Sequence, residues 1–139
     1  MFSTILCATD GSDHAGKAVA AAADLGRRYN SRVIVLTAYD PMPKELGAPY
    51  FDDLIRRRLN AAEELVKAAT AVMKDAGITP IVEILEGPAA RAILEVARTR
   101  RCDLIVMGSR GLGPVGAMLL GSVTTRVVHE APCPVLLTR

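Results

Sequence analysis

Short apolar runs alternate along the chain with longer segments in which apolar residues recur every three or four positions. Runs of this length, rich in Val, Ile and Leu and closed by turn residues, are typical of buried parallel strands. The longer periodic segments are typical of amphipathic helices. The pattern predicts strands over residues 4–9, 32–39, 80–86, 103–107 and 135–137, with a helix between each strand and the next.

The helical segments carry their own start and stop signals. Ser12 or Asp13 can cap the first helix, because both side chains accept hydrogen bonds from free backbone N–H groups. A proline-containing loop at 40–50 precedes the long second helix, and Gly77 fits the position just after its end. Pro88 lies in the first turn of the third helix, where its missing N–H costs little.

Strands that alternate with helices predict a parallel sheet covered on both faces, which right-handed crossovers turn into a doubly wound α/β fold. The 139 residues fit a single domain, 1–139. The pattern leaves the order of the five strands open. If the order reverses between the first and fourth strands, Asp10 and Gly108 face one crevice, and ligands bind in such crevices.

A glycine-rich segment after the fourth strand carries the clearest chemical signal. Gly108-Ser109-Arg110-Gly111 is followed, after nine residues, by Gly121-Ser122, which opens a short helix over 122–130. Glycines let a backbone turn sharply and approach an anion, and the first N–H groups of a helix favour phosphate. A connecting loop followed by a capped helix explains the same residues, so loop chemistry alone leaves both interpretations open.

The spacing Gly-x-x-Gly, nine residues, Gly-Ser resembles the ATP-binding signature of the universal stress protein family. This glycine signature is complete here as Gly108, Gly111, Gly121 and Ser122. Ile5-Leu6-Cys7-Ala8-Thr9-Asp10-Gly11-Ser12 at the start and Pro132-Cys133-Pro134-Val135-Leu136 at the close are also similar to that family. The resemblance covers the whole chain.

The resemblance implies the strand order 3-2-1-4-5 and a complete ATP site. Asp10 would accept hydrogen bonds from the ribose hydroxyls, and the backbone of Ala38 would line the adenine site. A divalent cation, Mg²⁺, would accompany the phosphates. The phosphates would be held from two sides, by Gly108, Arg110 and Gly111 on one and by Gly121, Ser122 and Val123, with Thr124 close by, on the other.

The family also implies a homodimer formed through the last strand. The sequence gives a separate argument, because the fifth strand runs almost to Arg139 and no following segment covers it. An apolar strand at a sheet edge leaves backbone groups unpaired and invites pairing, which a twofold partner satisfies. A monomer with a short frayed edge is the alternative.

Other motif interpretations fit less well. Gly111-Leu112-Gly113-Pro114-Val115-Gly116 matches the dinucleotide fingerprint, but no acidic residue ends a later strand about 20 residues on. A P-loop requires a Lys directly before its Ser or Thr, and no Lys precedes Ser122. Ser109 does not sit in a nucleophile elbow. A response-regulator receiver would need a phosphorylatable Asp where Glu86-Gly87 stands.

The titratable residues suggest binding rather than rapid turnover. No nucleophile–base pair stands out, so we predict no catalytic residues and at most a weak ATPase driven by positioning and a metal. His14 lies in a first turn near the proposed site, where we expect it to be exposed to solvent. His129 lies near the end of the last helix, where capping is the simplest role.

Composition narrows the remaining classes. The net charge is +2 with mixed signs, and only 4% of residues are aromatic, so neither nucleic-acid stacking nor a basic binding face is expected. The 3 cysteines form no metal or disulfide motif. No signal peptide is visible, and no apolar run approaches the roughly 20 residues that span a bilayer. We expect a cytoplasmic protein without membrane contact.

The sequence therefore predicts an ATP-binding regulatory protein of the stress-response type. In this hypothesis the nucleotide shifts residues 108–122, and with them the 40–50 loop, between conformations that an unidentified protein partner distinguishes. Slow ATP hydrolysis as the main activity is one alternative. A dimeric interaction protein that binds no nucleotide is the other.

Overall fold

The computed structural model describes residues 1–110 and 120–139. Five parallel strands form one sheet in the order β3-β2-β1-β4-β5. The predicted five-stranded doubly wound α/β fold and its strand order 3-2-1-4-5 are confirmed. The strands are β1 (Thr4–Ala8), β2 (Arg32–Tyr39), β3 (Ile81–Glu86), β4 (Leu104–Gly108) and β5 (Val135–Thr138), and the helices are α1 (Asp13–Tyr29), α2 (Tyr50–Asp75), α3 (Ala89–Thr99) and α4 (Ser122–Glu130).

The sheet is buried on both faces because alternate residues of its central strands enter two separate apolar clusters. Ile5 and Cys7 of β1 pack with α1 and α2 on one face. Leu6 packs with α3 and α4 on the other, together with Ile105 of β4. Successive side chains of a strand point to opposite faces of the sheet. Because helices cover both faces, these strands are continuous apolar runs rather than apolar at every second position.

The helix signals of the sequence have specific structural counterparts. The Ser12 side chain caps α1 by accepting a hydrogen bond from the backbone N–H of Ala15 at 3.2 Å. Gly77 follows the end of α2 with φ +80°, the left-handed conformation expected there. Pro88 occupies the cap position of α3, one place before the first helical residue.

The long second helix begins at Tyr50, earlier than its apolar periodicity indicates. Arg58 in α2 donates to the carbonyl oxygens of Asp40 at 2.7 Å and Pro41 at 2.9 Å. Glu86 accepts from the backbone N–H of Met42 at 2.8 Å. These contacts tie the segment after β2 to α2 and β3. Among the described helices, none is long and apolar enough to cross a membrane.

Candidate functional site

A cavity of about 240 Å³ opens where β1, β2 and β4 end, beside the first turns of α3 and α4. This is the position where a doubly wound sheet offers a ligand crevice, because β1 lies between β2 and β4 and the chain winds in opposite directions from it. The cavity is lined by Ala8, Thr9, Asp10, Ala15, Leu36, Ala38, Ala89, Ile93, Met107, Gly108, Arg110, Gly121, Ser122, Val123 and Thr124.

One wall of the cavity is apolar. Leu36 lies in the buried part of β2, Met107 lies near the end of β4, and Ile93 faces them from α3. Ala8 and Ala89 add small side chains that leave space between these elements. Such a wall suits a flat, weakly polar group such as a nucleobase, since ligand sites are mostly apolar with a few placed polar groups.

Asp10 supplies a carboxylate at the end of β1. Its Oδ1 accepts a hydrogen bond from the backbone N–H of Ser12 at 2.9 Å, which orients the side chain within the turn. Gly11 makes this turn possible with φ +82°, and a Cβ there would lie 2.5 Å from Cδ2 of Leu65. The turn therefore holds an anionic, hydrogen-bond-accepting group at the cavity.

Three hydrogen bonds hold the described parts of the glycine signature side by side at the end of β4. The Gly121 N–H donates to the Ser109 carbonyl at 3.0 Å. The Thr124 hydroxyl donates to the Gly108 carbonyl at 2.9 Å. The Ser109 N–H donates to the Thr138 carbonyl of β5 at 2.8 Å. Gly108, Gly121 and Thr124 thus lie together at one edge of the cavity.

The N-terminus of α4 faces the cavity without a side-chain cap. Gly121 is its cap residue, with φ −65° and ψ 159°, and no side chain in the described part of the chain caps the first turn. Because Ser122 and Val123 line the cavity, the first N–H groups of α4 and the positive end of the helix dipole lie next to it. Arg110 adds a guanidinium on the same side. This end of the cavity can bind an anion.

The structure brings the predicted site residues to a single place. Asp10, Ala38, Gly108, Arg110, Gly121, Ser122, Val123 and Thr124 all line the cavity. Gly111 lies outside the described residues, as do Gly113 and Gly116 of the dinucleotide fingerprint. Sequence reasoning missed the apolar wall, including Leu36, Ile93 and Met107, because core residues of strands and helices carry no signal that distinguishes those beside a cavity.

The expectation that His14 is exposed is wrong. The side chain is half-buried, with Nδ1 3.0 Å from the Ser109 hydroxyl and Nε2 3.2 Å from an Nη atom of Arg110. The first turn of α1 packs so closely on β4 that a Cβ on Gly108 would lie 2.8 Å from the His14 Cβ. No local pattern indicates this, because the partners of His14 follow it by 95 and 96 residues.

The described titratable side chains supply neither a reactive thiol nor a metal cluster at the cavity. Cys7 of β1 packs in the apolar cluster on the α1 and α2 face and does not line the cavity, and burial raises the pKa of its thiol to about 12, so it remains protonated and unreactive. Within residues 1–110 and 120–139, no group of three or more His, Cys, Asp or Glu side chains is arranged to hold a metal ion. A divalent cation here would take its ligands from phosphate, water and at most a lone carboxylate such as Asp10.

Comparison with known proteins places the chain among its relatives. Residues 1–139 match the model of the universal stress protein family. A universal stress protein of Thermus aquaticus, encoded in the 3′ region of a QAH/OAS sulfhydrylase gene, is 46% identical, with 100% of each chain covered.

Solved structures show the same fold. The universal stress protein UspA from Lactobacillus plantarum superposes with a TM-score of 0.88 and 26% identity, covering 99% of this chain and 97% of that chain. A universal stress protein solved in complex with cAMP has a TM-score of 0.79 and 29% identity, covering 99% of this chain and 97% of that chain. The family match over the full sequence, the Thermus relative and the shared fold establish that this chain belongs to the universal stress protein family.

Proposed function

We propose that this chain is a regulatory protein that binds ATP with Mg²⁺ and presents its nucleotide state to a partner protein. The observation that carries the proposal is the polarity of the cavity, which has an apolar wall between a carboxylate and a cationic, N–H-rich edge. Adenosine phosphates have the complementary order, with a flat base, ribose hydroxyls and then anionic phosphates.

The apolar wall and Ala38 would receive the adenine. The cavity volume of about 240 Å³ is just below the roughly 300–1,000 Å³ of ordinary ligand sites. This size suits a nucleoside inside the cavity with its phosphates at the rim. Asp10 would accept hydrogen bonds from the ribose hydroxyls, because an ionised carboxylate only accepts.

The phosphates would lie between Arg110 and the start of α4. Ser122 and Val123 offer helix N-terminal N–H groups, and the Thr124 hydroxyl joins α4 to the Gly108 carbonyl of β4. Gly108, Gly111 and Gly121 would approach the phosphates through their backbone, as the family signature implies. Arg110 adds charge-assisted hydrogen bonds. Mg²⁺ would bind chiefly to the phosphates and water, which matches a site with few carboxylates.

A solved relative supports the ligand class. The universal stress protein in complex with cAMP is 29% identical to this chain over nearly its whole length. Its ligand shares the adenine and ribose of ATP but has a single cyclic phosphate. The shared parts correspond to the apolar wall and Asp10, whereas the preference for three phosphates depends on Arg110 and the glycine signature.

The regulatory part of the proposal includes a homodimer formed through β5. β5 is an edge strand without a charged side chain, and Leu136 is 38% exposed on it. At the opposite edge, Glu83 of β3 forms an ion pair with Arg100. Charges discourage edge pairing, so β5 is the more suitable edge for a twofold partner.

Calorimetric titration with ATP and Mg²⁺ tests the proposal directly. The Gly121→Val variant adds a branched side chain to the cavity rim at φ −65° and ψ 159°, a backbone conformation open to any L-residue. Gly47→Val is the matched control, because a Cβ at that exposed position meets nothing within 4 Å. We expect the natural protein and Gly47→Val to bind ATP and Gly121→Val to lose most of that affinity.

Two results would contradict the proposal. If protein freed of co-purified nucleotide does not bind ATP, the chain is an interaction protein of the same fold. If both valine variants bind ATP like the natural protein, the nucleotide occupies a different site. Titration with cAMP and AMP in parallel determines whether the number of phosphates matters.

A further inference from the structure

The His14 side chain connects α1 to the two residues that follow β4, Ser109 and Arg110. Its Nδ1 lies 3.0 Å from the hydroxyl of Ser109, and its Nε2 lies 3.2 Å from Nη2 of Arg110. Ser109 is buried, whereas Arg110 lines the cavity. His14 itself does not line the cavity, so it touches the site through Arg110.

The proton on the imidazole follows from its neighbours. A guanidinium only donates hydrogen bonds, so Nε2 of His14 must be the acceptor. In a neutral imidazole the single proton then lies on Nδ1, which donates to the Ser109 hydroxyl. With this tautomer the ring accepts from the guanidinium of Arg110 at Nε2 while it donates to Ser109 at Nδ1.

The backbone of His14 is held as firmly as its ring. The Thr138 hydroxyl donates to the His14 carbonyl at 2.7 Å, while the Thr138 carbonyl accepts from the Ser109 N–H at 2.8 Å. A Cβ on Gly108 would lie 2.9 Å from the His14 carbonyl carbon, so the backbones of α1 and β4 are in close contact here. An anchored ring gives Arg110 a fixed point at the end of a long, flexible side chain.

We propose that His14 is a positioning residue that holds the guanidinium of Arg110 at the phosphate end of the cavity and so sets the preference for phosphorylated adenosine. The inference rests on the proposed nucleotide function and adds a residue outside the glycine signature. A prepositioned cation loses less side-chain entropy when phosphate binds, and this gain is absent for an unphosphorylated ligand. His14 thus affects selectivity more than nucleoside binding.

Amide substitutions separate the two hydrogen bonds of the ring. The amide of Gln reaches the position of Nε2 and can still accept from Arg110, whereas the shorter Asn reaches only the position of Nδ1 and Ser109. The experiment measures the affinities of natural protein, His14→Gln and His14→Asn for ATP with Mg²⁺ and for adenosine. We expect His14→Asn to weaken ATP binding about tenfold, the effect of one charged hydrogen bond, with adenosine affinity unchanged.

Under the same conditions His14→Gln should retain most of the ATP affinity. A double-mutant cycle adds Arg110→Met, after which His14→Asn should cause no further loss of ATP affinity, because the residue it positions is gone. Adenosine binding also verifies that each variant is folded.

The outcomes distinguish the inference from the function beneath it. Natural protein that binds neither ATP nor adenosine overturns the proposed function, and the inference falls with it. Natural protein that binds ATP while His14→Asn binds it equally well overturns the inference alone. Equal losses for ATP and adenosine, or equal losses in His14→Gln and His14→Asn, show a structural role and also overturn it.

Discussion

At the scale of single residues, the missing side chain of Gly108 determines how closely α1 can approach the end of β4. A Cβ there would lie 2.8 Å from the His14 Cβ and 3.0 Å from the backbone nitrogen of Ala15. Backbone atoms cannot rotate away as a side chain can, so the helix or the strand would have to shift. The contact matters for function because the same approach brings His14 to Ser109 and Arg110.

We predict that Gly108→Ala lowers the free energy of unfolding by about 1–3 kcal/mol, the usual cost of overpacking. Gly16→Ala is the matched control, since it lies within α1 and a Cβ there meets nothing within 4 Å. Because alanine favours helix over glycine by about 1 kcal/mol, this control should be neutral or stabilising. Urea unfolding measures both, and a loss of the same size in the two variants contradicts the close-contact argument.

The cysteines give a second prediction at this scale. Burial raises the pKa of the Cys7 thiol to about 12 and that of Cys102 to about 11. Burial also raises the pKa of Cys133, but this side chain is only half-buried. Since the thiolate is the reactive form, a raised pKa slows alkylation at any pH below it, and rates should increase as the pH rises.

At pH 8 we therefore expect iodoacetamide to label Cys133 first, Cys102 more slowly and Cys7 least in the folded protein. Peptide mass spectrometry after timed quenching measures the three rates. Protein unfolded in urea is the control, in which the three thiols should react alike. Labelling of Cys7 as fast as Cys133 in folded protein would show that β1 opens readily, contrary to its complete burial.

Sequence reasoning succeeded at residues whose role depends on near neighbours and failed where it depends on distant ones. The Ser12 cap and the positive φ of Gly77 follow from contacts within a few positions. The environment of His14 depends on Ser109, Arg110 and Thr138, all more than ninety positions away. A histidine in a first turn is usually exposed, and only the tertiary fold reverses that.

At the scale of elements, the Thr124 side chain joins α4 to β4 by a buried hydrogen bond. The Thr124 hydroxyl donates to the Gly108 carbonyl at 2.9 Å, and Thr124 is 2% exposed. The neighbouring Thr125 also donates a hydrogen bond, but to the Gly121 carbonyl one turn earlier in its own chain segment. The two threonines thus differ in whether their hydroxyl joins two elements or stays within one.

We expect Thr124→Val to lower the free energy of unfolding by about 1–3 kcal/mol, because a buried carbonyl loses its donor while the shape stays similar. Thr125→Val should change it by less than about 0.5 kcal/mol, as is usual for exposed sites. Thermal unfolding of both variants tests this. Equal effects would mean that the hydroxyl of Thr124 does not hold α4 against the sheet.

Element boundaries could be predicted where burial sets them and not where distant contacts do. The strands follow continuous apolar runs because both faces of the sheet are covered. The start of α2 at Tyr50 has no such signal, and its cap residue Pro49 has no capping side chain. The preceding segment is held instead by Arg58 and Glu86, which the sequence does not place near it.

At the scale of the whole molecule, strand order was the property that periodicity alone could not supply. Each strand is an apolar run of similar length, so local pattern allows several orders. The order appears only in pairings between remote residues, such as Ile5 with Val33 on one side and Leu104 on the other. The family resemblance, rather than the periodicity, supplied the correct arrangement and with it the crevice.

The same order leaves β3 and β5 as the two edges, and their side chains differ. Both carry an exposed apolar residue, Val82 at 42% on β3 and Leu136 at 38% on β5. β3 also carries Glu83, which forms an ion pair with Arg100, whereas β5 has no charge of its own. An uncharged apolar edge pairs more readily with another chain.

We predict that the protein sediments as a dimer and that Leu136→Lys shifts it toward the monomer, because a lysine on β5 opposes edge pairing. Val82→Lys is the matched control on the other edge, and it should leave the sedimentation coefficient unchanged. Analytical ultracentrifugation over a range of concentrations separates the two effects. If Val82→Lys dissociates the dimer and Leu136→Lys does not, the interface lies at β3. If the natural protein is a monomer at every concentration, the edge of β5 is open to another partner, and the nucleotide site must act within one chain.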